Sequence, residues 1–277
     1  APELLKLVAG ENGLSGIPIG LHIQNQVIYN RALLDKYQLR PPGDWIEFLS
    51  YGPILKRDGV YLIANSDEPW QIRNLFMSIF SSLTNADEAR LLLSSDQPLQ
   101  SLRGKVSEAV DILVGLKRFA EPEFHNRKWE EAVRLVEAQR SLSVALGDYI
   151  IPEFNDGTGV VCGVAPGARY IIWGADTLIF PTVQDQRLVA GQDLVFKILA
   201  DRETLLQFSY WKGSIPAVKN APDQSLRPCT AVLHQQWESF SDKILVDADN
   251  WNRRLGALGS ILNRLWNQTV VDPVAAA

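Results

Sequence analysis

Cysteine and histidine are both scarce in this chain. There are 2 Cys and 3 His in 277 residues. Two thiols cannot form the disulfide framework of a scaffold protein of this length, nor can they supply a four-thiolate zinc site. The histidines, His22, His125 and His234, are far apart in sequence, so a metal site would need the fold to gather them. We therefore expect no metal ion.

The chain also lacks a strong charge of either sign. Its 27 Lys and Arg oppose 32 Asp and Glu, giving a net charge of -5, and no cluster of five or more basic residues occurs. The electrostatic footprint of a nucleic-acid-binding protein is missing, so nucleic acid is not expected as a partner. With 46% hydrophobic residues, the composition predicts a folded chain with one large core or two lobes.

Membrane-spanning and export segments are not apparent in the sequence. No stretch approaches the roughly 20 apolar residues needed to cross a bilayer. The chain begins Ala1-Pro2-Glu3, without the charged and apolar regions of an export signal. We expect such a signal to have been removed or never to have been present.

Motifs for catalysis and cofactor binding are missing as well. The segment GTGVVCG contains Gly157, Gly159 and Gly163, but the third glycine comes one position too late for a dinucleotide-binding loop. No GxxxxGK, GxSxG or HExxH motif occurs. We predict no catalytic residue and no cofactor.

Strand and helix patterns alternate along the chain. Residues 15–30 alternate apolar and polar positions, which is typical of strands, and Asp44 stands at the N-cap of a helix with Glu47 three residues later. Residues 70–120 have helical spacing. The segment IIWGADTLIFP is typical of a strand, and LVAGQDLVFKILA and ETLLQFSYW of helices. This order predicts an α/β protein with largely parallel strand pairing.

Four colinear segments carry a family resemblance. They are IPIGLHIQNQVIYNRALLDKYQLRPPGDWIEFL, NSDEPWQ, ALGDYIIPEF, and WGADTLIFPTVQ continuing to FSYWKGSIPAV. Together they resemble the extracellular sugar-binding proteins of ABC importers, in the glucose- and mannose-type branch. The residues that match the family's motifs are His22, Trp45 to Phe48, Trp70 with Gln71, Gly147 with Asp148, and Lys212 to Pro216. The family's Gly-Asp-Trp is GDY here, which removes one indole.

The resemblance implies a periplasmic-binding-protein fold of two α/β lobes joined by a multi-strand hinge. The family has a long opening segment before the first motif, whereas His22 is residue 22 here, so we expect this segment to be missing and the first lobe to be incomplete. Residues 1–20 and 170–213 would be its remnant, and residues 21–169 and 214–277 would form the second lobe. Because an incomplete sheet has unpaired edges, we expect a homodimer or a separate lobe-one polypeptide as a partner.

The resemblance also implies a sugar site in the cleft between the lobes. A sugar needs aromatic faces for its C–H surface and polar groups for its hydroxyls. The aromatic candidates are Trp70 and Tyr149, and the polar candidates are His22, Gln71, Asp148, Asp176 and Lys212. Each has an ordinary structural alternative: a satisfied strand-end histidine, a core tryptophan, turn-capping aspartates or a solvated lysine.

The two cysteines lie where this branch of the family commonly carries a bridge. The resemblance predicts a disulfide between Cys162 and Cys229, which favours an oxidising compartment such as the periplasm. The alternative is a pair of unrelated buried thiols.

Three functions remain open from the sequence. The first is a periplasmic receptor that delivers a mono- or disaccharide to an ABC permease. The second is an extracytoplasmic sensor domain of a membrane receptor such as a histidine kinase. The third, a glycan hydrolase, ranks last because the sequence offers no recognisable carboxylate pair.

Overall fold

The computed structural model describes residues 4, 8–10, 13–14, 16–93, 100–122, 127–154, 157–246 and 255–268. They form a mixed α/β structure with two four-stranded sheets and a short hairpin. The strands are β1 (Ala9–Gly10), β2 (Gly13–Leu14), β3 (Gly16–Ile23), β4 (Gln26–Asn30), β5 (Tyr61–Ala64), β6 (Ser141–Val144), β7 (Val160–Val164), β8 (Ile171–Ile179), β9 (Ile215–Pro216) and β10 (Lys243–Leu245).

The helices lie between these strands and after the last of them. They are α1 (Arg31–Tyr37), α2 (Trp45–Ser50), α3 (Gly52–Arg57), α4 (Pro69–Leu83), α5 (Ala86–Leu93), α6 (Arg103–Lys117), α7 (Trp129–Glu137), α8 (Gln186–Ala200), α9 (Arg202–Lys212), α10 (Pro228–Ser239) and α11 (Gly256–Gln268). Short 3-10 segments occur at Gln100–Leu102, Asp148–Glu153 and Asp223–Ser225. Among the described residues, no helix combines the length and the apolar character needed to cross a membrane.

The two larger sheets are connected directly by one tight turn. The first sheet has the order β10-β8-β3-β9 and the second the order β5-β6-β4-β7. Only Gln24 and Asn25 separate β3 in the first sheet from β4 in the second. The chain therefore passes from one sheet to the other within two residues.

The prediction of largely parallel pairing is wrong. In the described part of the chain, β8 pairs with β10 and β5 with β6 in parallel, whereas β3 pairs antiparallel with β8 and β9, and β4 pairs antiparallel with β6 and β7. The sequence indicated the helices between strands. It did not indicate that β3 and β4 run antiparallel to both of their neighbours.

Local signals in the sequence agree with the structure at the start of α2. Asp44 Oδ1 accepts hydrogen bonds from the backbone N–H groups of Ile46 and Glu47, at 2.9 and 2.7 Å. The Glu47 carboxylate accepts the Gly43 N–H at 2.6 Å. These bonds satisfy donors that a helix start leaves without partners.

The predicted disulfide is present. Cys162 in β7 and Cys229 at the start of α10 are bonded, and their Cα atoms lie 5.4 Å apart. Cys229 is buried beside the apolar side chains of one of the two core clusters. The bridge therefore fastens α10 to the edge strand of the second sheet.

Helix α8 differs from the other long helices because none of its residues is buried. Its side chains Leu188, Leu194 and Ile198 are 56%, 60% and 51% exposed, and Ile179 at the end of β8 is 65% exposed. Contacts between the described elements place α8 against α9 and β3. The apolar side chains of α8 are therefore exposed in the described part of the chain.

Candidate functional site

Four of the predicted residues form one continuous line of charged groups. His22 Nδ1 lies 2.6 Å from Asp148 Oδ1, and His22 Nε2 lies 3.1 Å from Asp176 Oδ2. Lys212 Nζ lies 3.4 Å from the same Asp176 oxygen. The line joins the Asp148–Glu153 segment, β3, β8 and the end of α9. The antiparallel pairing of β3 with β8 brings His22 and Asp176 together, and the packing of the other two elements adds Asp148 and Lys212.

The inner end of this line is fully enclosed. Asp148 has no exposed surface and His22 is 6% exposed. The second oxygen of Asp148 accepts the backbone N–H of Ile23 at 2.9 Å, so both carboxylate oxygens act as acceptors. Burial raises the pKa of the Asp148 carboxyl above its ordinary value, and the His22 charge and the two hydrogen bonds oppose that effect only in part.

The His22 imidazole is held in its charged form by its two carboxylate neighbours. Burial works against the imidazolium, but the charge and hydrogen bond of Asp148, joined by those of Asp176, outweigh it and raise the pKa of His22 to about 10. A buried histidine paired in this way keeps its proton well above its usual range near pH 6.5.

The outer end of the line is partly open to solvent. The side chains of Asp176 and Lys212 are 39% and 44% exposed. The hydrogen bond with His22 and the charges of His22 and Lys212 lower the pKa of the Asp176 carboxyl. Solvent screens this outer ion pair, so it adds only about 0–1 kcal/mol to stability. Asp176 and Lys212 are thus an ionised acceptor and a charged donor that a ligand hydroxyl can reach.

An aromatic group lies beside the buried aspartate. Tyr149 follows Asp148 directly, and its ring centroid lies 6.2 Å from that of Trp70 and 5.6 Å from that of Trp129. All three side chains are only partly buried. Tyr149 is also close enough to Glu68 and Arg73 to interact with their charges. Trp129 and Arg73 lie outside the matched segments, and Glu68 was not singled out within NSDEPWQ.

Several buried polar atoms in this region have no hydrogen-bond partner among the described residues. They are the Tyr149 hydroxyl, Gln71 Oε1, the Ser214 hydroxyl and His22 Nε2, which lies 3.1 Å from Asp176 Oδ2 as an ion-pair contact. The other side of the Gln71 amide donates to Glu68 Oε2 at 2.7 Å, which fixes the orientation of the amide. An unsatisfied buried polar atom costs about 1–3 kcal/mol, so these atoms call for a ligand or water.

Strand β3 approaches β9 very closely next to His22. A Cβ built on Gly20 would lie 2.6 Å from the Ser214 hydroxyl and 3.9 Å from His22 Nε2. Glycine at position 20 therefore makes room for the hydroxyl and the imidazole together. Ser214 was part of the matched Lys212 to Pro216 motif, but the sequence did not single it out.

The seven predicted ligand residues thus form two adjoining groups. The charged line consists of His22, Asp148, Asp176 and Lys212. The second group consists of Tyr149, the neighbouring ring of Trp70, and Gln71, which is bonded to Glu68. The two groups meet at the peptide bond between Asp148 and Tyr149. A separate cavity of about 670 Å³, lined by Trp173, Trp237 and other side chains, is not bordered by any of the seven.

Metal binding finds no support in the described part of the chain. No group of three or more His, Cys, Asp or Glu side chains there is arranged to hold a metal ion. His22 faces aspartates, and His234 lies 3.5 Å from Asp223 at an exposed position. His125 lies outside the described residues. Gly157, Gly159 and Gly163 belong to a turn and to β7, next to the disulfide.

The architecture is that of the two-lobe α/β solute-binding proteins. A structure of the bacterial solute receptor AcbH, described as having an exclusive preference for β-D-galactopyranose, matches with a TM-score of 0.83 and 14% identity, covering 100% of this chain and 72% of that one. A sugar transporter from Bacillus licheniformis in complex with stachyose matches with a TM-score of 0.66 and 15% identity, covering 100% and 74%. At these identities the likeness concerns the fold alone.

Curated relatives are found at greater sequence similarity. A probable sugar-binding periplasmic protein of Rhizobium meliloti is 27% identical over 218 residues, covering 76% of this chain and 52% of that protein. An uncharacterized ABC transporter extracellular-binding protein of Pyrococcus horikoshii is 22% identical over 253 residues, covering 88% and 56%. The chain therefore spans about half the length of the curated relatives it matches. No protein-family model matches the chain.

Proposed function

We propose that this chain is an extracytoplasmic carbohydrate receptor that binds a mono- or disaccharide and passes it to an ABC importer. The observation that carries the proposal is the junction of the charged line with the aromatic group at Asp148 and Tyr149. Partly open aromatic rings and an ionised acceptor and donor adjoin buried polar atoms without partners. These are the groups that recognise the two kinds of surface on a sugar.

In this proposal each of the seven residues has a part. Trp70 and Tyr149 face the C–H surface of the sugar, and Gln71, Asp176 and Lys212 bond its hydroxyls. Asp148 and His22 are too enclosed to reach far into solvent and support Asp176 from behind. The names of the Rhizobium and Pyrococcus relatives favour transport over a sensor domain or a hydrolase, and we propose no catalytic activity and no cofactor. The glucose- and mannose-type branch stays part of the proposal.

We further propose that the site lies between two lobes. Residues 170–213, with residues 1–20, would belong to one lobe, and residues 21–169 and 214–277 to the other. Under this division Asp176 and Lys212 lie in one lobe and His22 and Asp148 in the other, and the paired strands β3 and β8 of one sheet would be part of the hinge that joins the lobes. The isolated position of α8, which packs against α9 and β3 and buries none of its own residues, supports this assignment.

The open face of α8 supports the proposed polypeptide partner. The solved AcbH structure has the same fold, yet this chain covers only 72% of it. We infer that additional polypeptide of this kind covers Leu188, Leu194 and Ile198. Sedimentation velocity on the chain distinguishes the sources: a monomer agrees with a different polypeptide, whereas a dimer that Leu194→Asp dissociates identifies a second copy and contradicts the inference.

The disulfide supports the periplasm as the location. A bridge between Cys162 and Cys229 persists only where thiols are not kept reduced. Protein recovered from its own cells under thiol-blocking conditions should therefore contain no free thiol. Free thiols in such protein would contradict an extracytoplasmic location.

Titration calorimetry with a sugar panel tests the function. Glucose, galactose, mannose and common disaccharides at millimolar concentration should include at least one that gives saturable heat. The same sugar should stabilise the fold by mass action, about 2.7 kcal/mol at a hundred times its Kd. Asp176→Asn combined with Lys212→Met is the control that should remove both signals. Neither heat nor a melting shift with any sugar would refute the proposal.

A further inference from the structure

His22 has an unusual position between two carboxylates. Its Nδ1 faces Asp148 at 2.6 Å and its Nε2 faces Asp176 at 3.1 Å. A neutral imidazole has a proton on only one nitrogen, so its other nitrogen would present a lone pair to a carboxylate oxygen. Only the imidazolium offers a proton to both neighbours.

The charges around His22 agree with this reading. Asp148 uses one oxygen for the Ile23 N–H and the other for His22, which is the pattern of an ionised carboxylate. Asp176 receives Lys212 on the oxygen that also faces His22. Just before β9, the neighbouring strand, the uncharged Ser214 hydroxyl lies against Gly20 of β3. Two anions and two cations therefore alternate along the line.

We propose that His22 is a positioning residue, held as an imidazolium between Asp148 and Asp176, which fixes the Asp176 carboxylate and with it Lys212 at the open end of the site. Asp148 supplies the buried counter-charge that makes this possible. The contact that orients Asp176 is the one with the buried His22, because the ion pair between Asp176 and Lys212 is exposed and weak. The consequence for ligand binding rests on the proposed function, whereas the charge state of His22 does not.

The proposal separates His22 from a direct ligand contact. His22 is only 6% exposed and each of its ring nitrogens faces a carboxylate, so a sugar hydroxyl has little access to the ring. It acts on the ligand through Asp176. A substitution that changes the charge of His22 should therefore change the pH dependence of binding as well as its strength.

Nitrogen-15 spectra of the histidine rings, recorded without any ligand, provide the first test. In the wild-type protein both His22 nitrogens should remain protonated from pH 6 to 9. In Asp148→Asn the imidazole should lose a proton within this range, and the carboxyl carbon of Asp176 should shift at the same midpoint. Asp223→Asn removes the aspartate from the exposed His234 pair and is the matched control, which should leave His22 unchanged.

Asp148→Asn loses an acceptor for either His22 or Ile23 and is the variant at risk of misfolding. Asp176→Asn, at a partly exposed position, then provides the second route and should also lower the midpoint of His22. A wild-type His22 with one bare nitrogen at pH 8 would overturn the proposal. The proposal would also be overturned if His22 stayed fully protonated to pH 9 in both variants. It would be overturned as well if the chemical shift of the Asp176 carboxyl carbon did not change as His22 titrates.

Binding provides the second test. For the sugar with the highest affinity, Kd should be constant from pH 6 to 9 in wild type and in Asp223→Asn. In Asp148→Asn, Kd should rise about tenfold per pH unit above the His22 midpoint, because only the protonated fraction is competent. A flat profile in Asp148→Asn with a titrating His22 would overturn the positioning role. If the wild type binds no sugar, the proposed function fails. The chemical shift of the Asp176 carboxyl carbon then still shows whether the charge of His22 affects that carboxylate.

Discussion

Cys162 and Cys229 join β7 to α10 across 67 positions of sequence, with their Cα atoms 5.4 Å apart. A bridge that closes so long a loop restricts the unfolded chain and stabilises the fold by roughly 4 kcal/mol in the chain-entropy account. Replacing both cysteines by alanine should therefore lower the melting temperature by on the order of 10 °C. Calorimetry of the double variant measures the change. Wild type treated with a reductant is the control and should melt like the variant; an unchanged melting temperature in both would contradict the prediction.

Lys212 is the charged donor at the open end of the site. Lys212→Met keeps most of its length and removes the charge and hydrogen bonds, which are worth about 1.5–3 kcal/mol when made to a buried partner. We expect sugar affinity to fall about 10- to 100-fold with little change in melting temperature, because the ion pair with Asp176 is exposed. Calorimetry measures the affinity. Lys219→Met, outside the charged line, is the control and should bind as wild type does.

Trp70 is expected to present a ring to the ligand. Trp70→Ala removes that face and should weaken sugar binding about tenfold or more, whereas Trp70→Phe should keep much of the affinity because it keeps an aromatic surface. Fluorescence and calorimetry on both variants measure the effect. Equal affinity in Trp70→Ala and wild type would show that the ring is only part of the core beside Tyr149 and Trp129.

Gly213 ends α9 immediately after Lys212 and has a φ of +78°. A Cβ there would lie 2.7 Å from Pro152 Cδ and 3.1 Å from the Asp148 carbonyl oxygen. Gly213→Ala should thus destabilise the fold by about 2–3 kcal/mol, from the left-handed backbone and from crowding. Gly59 has a φ of +71° with open space around it, so Gly59→Ala isolates the backbone part, about 1 kcal/mol. Urea unfolding compares the two variants, and equal losses would exclude crowding at Gly213.

The stability contributed by His22 should depend on pH in a defined direction. Its folded-state pKa of about 10 lies above the ordinary 6.5, so the folded state holds a proton that the unfolded state releases between these values. This contribution is complete below pH 6.5 and is lost as the pH rises towards 10. The difference in unfolding free energy between wild type and His22→Gln should therefore shrink from pH 6.5 to 10. A difference that grows with pH would show that His22 is neutral when folded.

The sequence predicted individual positions better than their relationships. Asp44 as an N-cap, helices within residues 70–120 and the disulfide are confirmed, because each depends on local pattern or on the family resemblance. The carboxylate pair around His22 was missed. Asp148 and Asp176 lie 28 positions apart; the antiparallel register of β3 with β8 places Asp176 beside His22, and the packing of the Asp148–Glu153 segment places Asp148 on the other side of the ring.

The relative direction of the strands could not be predicted from the sequence either. Alternating strands and helices are common to parallel sheets and to this arrangement, in which β3 pairs with β8 while the next strand, β4, joins the other sheet. Trp129 near the site belongs to no matched motif, and Glu68 and Ser214 lie in matched segments without being singled out. Trp129 reaches the site because α7 packs against the Asp148–Glu153 segment.

Asn25 marks the point at which the backbone leaves the first sheet for the second. Its buried amide bonds the Tyr170 carbonyl at 3.0 Å, the Ser81 hydroxyl at 3.2 Å and the Ile172 N–H at 2.8 Å. The Asn25 side chain thus satisfies backbone groups of Tyr170 and Ile172 that a neighbouring strand would otherwise pair with. Because these bonds tie α4 and the start of β8 to the two-residue crossover, they hold the two sheets together at the point where the chain passes between them.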